Sequence, residues 1–138
     1  ARFGYAICHS ELASAFNKIR NHFGMCRASQ AGALEALKDT KHFESTVLKV
    51  NEAKKRIYRI ALENGLKAIP SATNFVAIDS GAGKDHAFKI MNGLIERGIF
   101  VRMPFVEPQN RCIRISAGRT KDLDLFEASL PQILDSIR

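Results

Sequence analysis

Two arginines define the chemistry open to this chain. Arg102 closes the apolar run Ile99-Phe100-Val101-Arg102, and Arg114 sits within Arg111-Cys112-Ile113-Arg114-Ile115-Ser116-Ala117-Gly118, with a loop from Met103 to Asn110 between the two runs. Read as a strand, the second run puts Ile113 and Ile115 on one face and Cys112, Arg114 and Ser116 on the other, because side chains alternate. A guanidinium in mid-strand stays charged, and its planar fork of donors fits a carboxylate bidentately. Arg102 ends the neighbouring run and can aim at the same space, so the two together read as a site for an anionic ligand. The plainer reading is that both pair with surface carboxylates, since charged side chains are mostly exposed.

Other candidate constellations are weaker. Ser80-Gly81-Ala82-Gly83-Lys84 resembles the tail of a phosphate-cradling loop, but that pattern needs a glycine where Ile78 stands and Ser or Thr where Asp85 stands. It reads as a tight connection into a helix. Of His9, His22, His42 and His86, only His22 stands at ligand spacing from a cysteine, Cys26, and Gly24 between them argues against a shared helix face; no metal is expected. Cys26 reads as a structural thiol, buried or partly buried. Lys54-Lys55-Arg56 with Arg59 resembles a nucleic-acid patch only in charge, with no interleaved aromatics, and reads as a solvated helix face.

These residues must be positioned by a folded chain. With 138 residues, 46% hydrophobic and 25% charged, it has the composition of one globular domain or part of one, which excludes disorder. The 21 basic against 14 acidic residues give a formal charge of +7, compatible with nucleic acid, an acidic membrane surface, a phosphorylated small molecule or an acidic protein. Three widely spaced cysteines, Cys8, Cys26 and Cys112, resemble neither a disulfide framework nor a zinc site, and a cytoplasmic location is the simplest reading. No apolar run approaches a membrane span, so no membrane partner is expected. Ala1-Arg2-Phe3-Gly4-Tyr5 opens inside a strand-like run, so the chain reads as cut from something longer.

The pattern predicts a strand over Arg2 to Cys8, then a helix capped by Ser10 and ending near Asn21, with Leu12, Ala15, Phe16 and Ile19 on one face. Ser29 is placed to cap a second helix from Gln30 to Lys38. Its surface of Ala28, Ala31, Gly32, Ala33 and Ala36 suits either tight core packing or close approach to another subunit. A long helix follows from Asp39-Thr40 to Asn64, stopped by Gly65, with a stripe of Phe43, Val47, Val50, Ile57 and Ala61. At roughly 24 residues it spans about 36 Å. From Leu66 onward the predicted order is strand (Leu66 to Ile69), strand (Asn74 to Asp79), helix (Lys84 to Arg97), strand (Ile99 to Arg102), strand (Arg111 to Ser116), and a helix capped by Thr120 that Pro131 should kink or interrupt.

Several segments together resemble the C-terminal part of a fold-type I pyridoxal-phosphate aminotransferase of class I/II, within it the histidinol-phosphate aminotransferase group. They are Arg2-Phe3-Gly4-Tyr5, Ala28-Ser29-Gln30-Ala31 with Ala33-Leu34, Pro70-Ser71-Ala72-Thr73-Asn74-Phe75-Val76, Gly98-Ile99-Phe100-Val101-Arg102 and Ile113-Arg114-Ile115-Ser116-Ala117-Gly118, in the family's order. The resemblance implies an α/β to α+β architecture: the end of a large cofactor-binding domain over 1–38, a long connecting helix over 39–65, and a small α+β domain over 66–138 with a mainly antiparallel sheet covered by helices. It implies that Arg114 grips the substrate's α-carboxylate, that Arg102 assists at the phosphate end of the substrate, and that Arg2 contacts the phosphate of pyridoxal 5'-phosphate. The implied activity is amino-group transfer between an amino acid or amino-phosphate and a 2-oxo acid, in a cytoplasmic homodimer with no nucleic-acid partner. The family's cofactor lysine falls before Arg2, so this segment alone is expected to be inactive. His22-Phe23-Gly24-Met25-Cys26 departs from the asparagine-containing loop common in that group. Two alternatives stand beside this reading: a phosphoamino-acid decarboxylase of the same fold, and a non-catalytic basic α+β module binding through the Lys54 to Arg59 face.

Overall fold

The computed structural model describes residues 4–21 and 23–137. By packing the chain divides into two compact units, Ala1–Ser45 and Thr46–Arg138. The described elements are five α-helices, a three-stranded sheet and a short 3-10 turn at Gln109–Arg111.

The first unit holds α1 (Ser10–Ile19) and α2 (Arg27–Lys38) and runs into the start of α3 (Thr40–Glu63). Both cap assignments shift by a few residues. The cap of α1 is His9, whose Nδ1 accepts from the Glu11 amide at 3.4 Å, with Ser10 already helical. Cys26 caps α2 and Ser29 lies within its first turn. The strand expected over Arg2 to Cys8 does not form across Gly4 to Cys8, which carry no regular structure. An extended segment needs a neighbouring edge to satisfy its amides, and the described part of this unit offers only helices. Neither α1 nor α2 buries a residue, so the alanine-rich α2 makes no tight core packing among the described residues.

The second unit is built on the later half of α3. Ala53, Ile57, Ile60 and Ala61 are buried there, whereas Phe43 and Val47, earlier on the predicted stripe, are exposed. Strands β1 (Lys67–Ile69), β2 (Phe75–Asp79) and β3 (Cys112–Ser116) form an antiparallel sheet in the order β1-β2-β3. The β2–β3 register pairs Phe75 with Ser116, Ala77 with Arg114 and Asp79 with Cys112. Val76, Ile78, Ile113 and Ile115 therefore share the inner face, in the core with Ile90 and Leu94 of α4 (Gly83–Glu96) and Phe126, Leu130 and Ile133 of α5 (Thr120–Ser136).

The end of α4 sets the path to the site. Gly98, at φ +76°, closes the helix with its amide donating to Ile95 O at 2.9 Å, while Ile99 N donates to Leu94 O at 2.9 Å. This pairing satisfies two terminal carbonyls and needs the left-handed conformation that glycine tolerates. The following run is not the predicted strand: only Arg102 pairs, through an isolated antiparallel bridge to Arg114. Pro104, two residues on, has no amide to extend a ladder. Helix α5 is also not interrupted at Pro131. That residue is exposed, on the outer side of the helix. Arg119 holds the cap position of α5, its side chain bonding the Asp122 carboxylate and not a helix amide, and Thr120 is the first residue of the helix.

Candidate anion-binding site

Arg102 and Arg114 lie directly opposite each other. Arg114 N donates to Arg102 O at 2.6 Å and Arg102 N to Arg114 O at 3.4 Å, on the edge of β3 away from β2. Opposed residues of an antiparallel pair project to the same face. Two guanidinium side chains thus leave one face of the sheet edge as neighbours. The alternation around them agrees: Val101 and Met103 are buried and Arg102 is exposed, while Ile113 and Ile115 are buried and Arg114 is half-buried.

Like charges placed opposite across a ladder destabilise it unless an opposite charge lies between. Among the described residues neither arginine has a carboxylate partner, in contrast to Arg56, Arg59, Arg111 and Arg119, each of which is ion-paired. What Arg114 has instead is an aromatic ring. Its Cζ lies 4.6 Å from the ring centroid of Phe75, a cation–π arrangement. Phe75 stands two positions along β2 from Ala77, the direct partner of Arg114, on the same sheet face. The stacked plane holds the guanidinium while leaving its in-plane N–H groups open to an anion.

Phe75 is placed in turn by the loop before it. Ser71 N donates to the Tyr58 hydroxyl at 2.8 Å, Lys54 Nζ donates to Ser71 O at 3.1 Å, and Ser71 Oγ donates to Phe75 O. On the far side, Ala117 N donates to Asn74 O at 2.9 Å, closing the loop against the end of β3. Arg102 and Arg114 also border a cavity of about 550 Å³ with Met91, Ile95 and Phe105.

The remaining sequence candidates resolve differently. Arg2 and His22 lie outside the described residues. The glycine-rich loop satisfies itself, with Gly81 N donating to Asp79 Oδ1 at 3.0 Å, Ser80 Oγ donating to Gly83 O at 3.0 Å, and His86 Nδ1 2.9 Å from Ser80 O. It is a strand-to-helix connection. Cys26 is exposed, not buried; its Sγ lies 3.2 Å from Ser29 Oγ and accepts from Ser29 N at 3.4 Å, and these bonds hold its pKa below the ordinary thiol value. No group of three or more His, Cys, Asp or Glu that could hold a metal occurs among the described residues. None of their helices is long and apolar enough to cross a membrane.

The basic face of α3 is not simply solvated. Arg56 Nη2 pairs with Asp124 at 2.7 Å and with Glu127, and Arg59 joins Glu127 at 2.7 Å and Glu63 at 3.0 Å. With Lys54 bonded to Ser71, these side chains tie α3 to α5 and to the Phe75 loop.

The model of the family described as aminotransferase class I and II matches residues 1–128 of the chain. The chain belongs to the class I and II aminotransferases. This aminotransferase chain is 36% identical over 133 residues to the histidinol-phosphate aminotransferase of Citrifermentans bemidjiense, covering 96% of this chain and 37% of the relative. Against histidinol-phosphate aminotransferase 2 of Methylococcus capsulatus the identity is 32% over 133 residues, covering 96% and 35%. The crystal structure of histidinol-phosphate aminotransferase from Sinorhizobium meliloti in complex with pyridoxal-5'-phosphate superposes with a TM-score of 0.88 at 46% identity, over 93% of this chain and 35% of that one. The aminotransferase chain thus spans about a third of the length of the relatives it matches.

Sequence reasoning missed Phe75, Tyr58 and Ser71 as parts of the site. Phe75 reads locally as one more apolar strand residue. Its stack under Arg114 depends on a β2–β3 register joining segments nearly forty residues apart.

Proposed function

We propose that this chain is the C-terminal portion of a pyridoxal-phosphate-dependent aminotransferase acting on an amino acid or amino-phosphate of the histidinol-phosphate type and a 2-oxo acid. In this reading residues 1–38 complete a large cofactor-binding domain, 39–65 connect, and 66–138 form a small domain that contributes the grip on substrate. The observation that carries it is the directly opposed pair Arg102 and Arg114, with no carboxylate partner among the described residues and Arg114 stacked on Phe75. Family membership and the likeness to relatives named for this activity support the rest.

The pair suits a carboxylate or a phosphate monoester, the two anionic groups such substrates carry. Arg114, held by the stack, offers two parallel N–H donors to a planar carboxylate and so fixes the orientation of the α-carbon bearing the amino group. Arg102, more exposed, takes the other end. The donor set fits anions only; pyridoxal phosphate, when bound, supplies the electron sink for cleavage at the α-carbon. Its phosphate contact in this reading falls to Arg2, outside the described residues. The whole enzyme is a cytoplasmic homodimer in this reading, and the 138-residue chain alone turns over no substrate.

The test is product analysis with the full-length protein, histidinol phosphate and 2-oxoglutarate. Stoichiometric glutamate supports the proposal; carbon dioxide from a parallel incubation with threonine phosphate, which unlike histidinol phosphate has a carboxylate to lose, with no glutamate formed, assigns a phosphoamino-acid decarboxylase; neither product overturns both.

A further inference from the structure

The grip of Arg114 depends on where Phe75 lies; β3 holds Phe75 from one side through its pairing with Ser116, and the loop before it holds it from the other through Ser71 and Thr73. Helix α3 seizes Ser71 by both of its backbone groups: the Tyr58 hydroxyl accepts from its amide at 2.8 Å, and Lys54 Nζ donates to its carbonyl at 3.1 Å. Lys54 and Tyr58 stand one turn apart, so they project from one face of α3. Ser71 passes the constraint on through its own hydroxyl, which donates to Phe75 O and lies 2.9 Å from Thr73 Oγ1, while Thr73 N donates back to Ser71 Oγ at 3.1 Å. The Phe75 ring then lies under the Arg114 guanidinium at 4.6 Å. The bonds of Ser71 to Lys54 and Tyr58 are partly buried.

Core filling does not explain this pattern. Tyr58 is only partly buried, and phenylalanine would pack as well; its hydroxyl is spent on one loop amide. Lys54 spends a full charge on one backbone carbonyl and has no carboxylate partner among the described residues, although the neighbouring Arg56 and Arg59 are ion-paired to acids of α3 and α5.

We propose that Tyr58 and Lys54 are positioning residues for anion binding: by clamping Ser71 they set the Phe75 ring on which Arg114 is stacked. The clamp makes α3 part of the binding apparatus and not merely a connector. This rests on the reading of Arg114 as the anion grip, and the test separates the two.

The experiment uses the full-length protein loaded with its cofactor and 2-oxoglutarate as the carboxylate probe, with Kd from titration calorimetry and melting temperature measured alongside. Tyr58→Phe and Lys54→Met are each expected to raise the Kd about 3- to 10-fold, the scale of one lost hydrogen bond. Both keep the packed stem of the side chain, and two independent variants guard against loss of one to misfolding. The decisive measurement is the double-mutant cycle: with Arg114→Ala in place, Tyr58→Phe has no further effect on Kd, because the clamp acts only through that guanidinium. If Tyr58→Phe and Lys54→Met lower the melting temperature but leave the Kd unchanged, or if Tyr58→Phe weakens binding equally with and without Arg114, the clamp proposal is overturned while the anion grip stands. If Arg114→Ala itself leaves the Kd unchanged, the grip reading is overturned and the clamp with it.

Discussion

The guanidinium carbon of Arg114 lies 4.6 Å above the ring centroid of Phe75, on the sheet face where Arg102 stands directly opposite Arg114. A stacked arginine is restrained in plane but free along its N–H edges, and a second arginine beside it leaves the pair short of negative charge among the described residues. Both properties favour a ligand that brings an anion.

Removing the stacked guanidinium is therefore the sharpest test of the site. Arg114→Ala in the full-length enzyme is expected to weaken carboxylate binding about 10- to 150-fold, the cost of a lost charge-assisted hydrogen-bond pair. Arg114→Lys should recover only part of this, since an ammonium has no fork to match a carboxylate and stacks less well. Steady-state kinetics check it: unchanged KM and kcat for both substrates in Arg114→Ala would remove Arg114 from the site.

The ion network between α3 and α5 makes stability depend on pH in a defined direction. Arg56 first and Arg59 second hold the Glu127 carboxyl below its ordinary pKa. A carboxylate depressed in the folded state contributes stability that is fully present above its unfolded pKa and is lost as pH falls through its folded value. At pH 7, Glu127→Gln should melt below the parent, and the gap should narrow in acid as the parent's own carboxyl takes up its proton. Thermal melts across pH 3 to 7 check this, and a gap of constant size would show that the charge of Glu127 does not hold the helices.

Helices α4 and α5 approach so closely at Gly93 that a Cβ there would stand 2.8 Å from Ile133 Cγ2 and 3.1 Å from Cγ1. Ile133 is itself buried and has little room to yield. Overpacking of this kind costs about 1–3 kcal/mol, and the better helix propensity of alanine returns up to about 1 kcal/mol, so Gly93→Ala should destabilise the protein by about 1–2 kcal/mol. The penalty should vanish when Ile133→Ala is already present. Denaturant melts of the four proteins of this cycle decide it.

The thiols should differ in reactivity. Cys26 is exposed and its hydrogen bonds to Ser29 favour the thiolate, whereas Cys112 is buried and desolvation pushes its pKa up. Iodoacetamide near neutral pH should label Cys26 before Cys112 in the 138-residue chain, and Ser29→Ala should slow the labelling of Cys26. Peptide mapping over time reads both; labelling of Cys112 first would contradict the exposure and hydrogen bonding described.

Much of the second unit was legible from local pattern. The alternation around Arg114, the helical spacing of Ala87, Ile90 and Leu94, and the stop at Gly98 each depend on a few adjacent residues, and the structure has them where the pattern puts them. The caps at His9 and Cys26 were not legible, because a serine one residue on, Ser10, or three residues on, Ser29, is the stronger capping residue, and the helix start decides which side chain reaches the amide. The strand expected over Arg2 to Cys8 failed across its described residues for a different reason: an apolar run becomes a strand only against an edge.

By itself, the sequence determined that an arginine stands in mid-strand, that a second ends the preceding apolar run, and that ordered segments around both resemble one aminotransferase family. Periodicity, alternation and motif order are properties of neighbours along the chain, so they survive without coordinates. Only the tertiary structure decided that Arg102 faces Arg114, that Phe75 lies beneath Arg114, and that Arg56 spends its charge on Asp124 and Glu127. Each of these joins distant segments through strand register or helix packing, and register is set by which faces the whole core can bury.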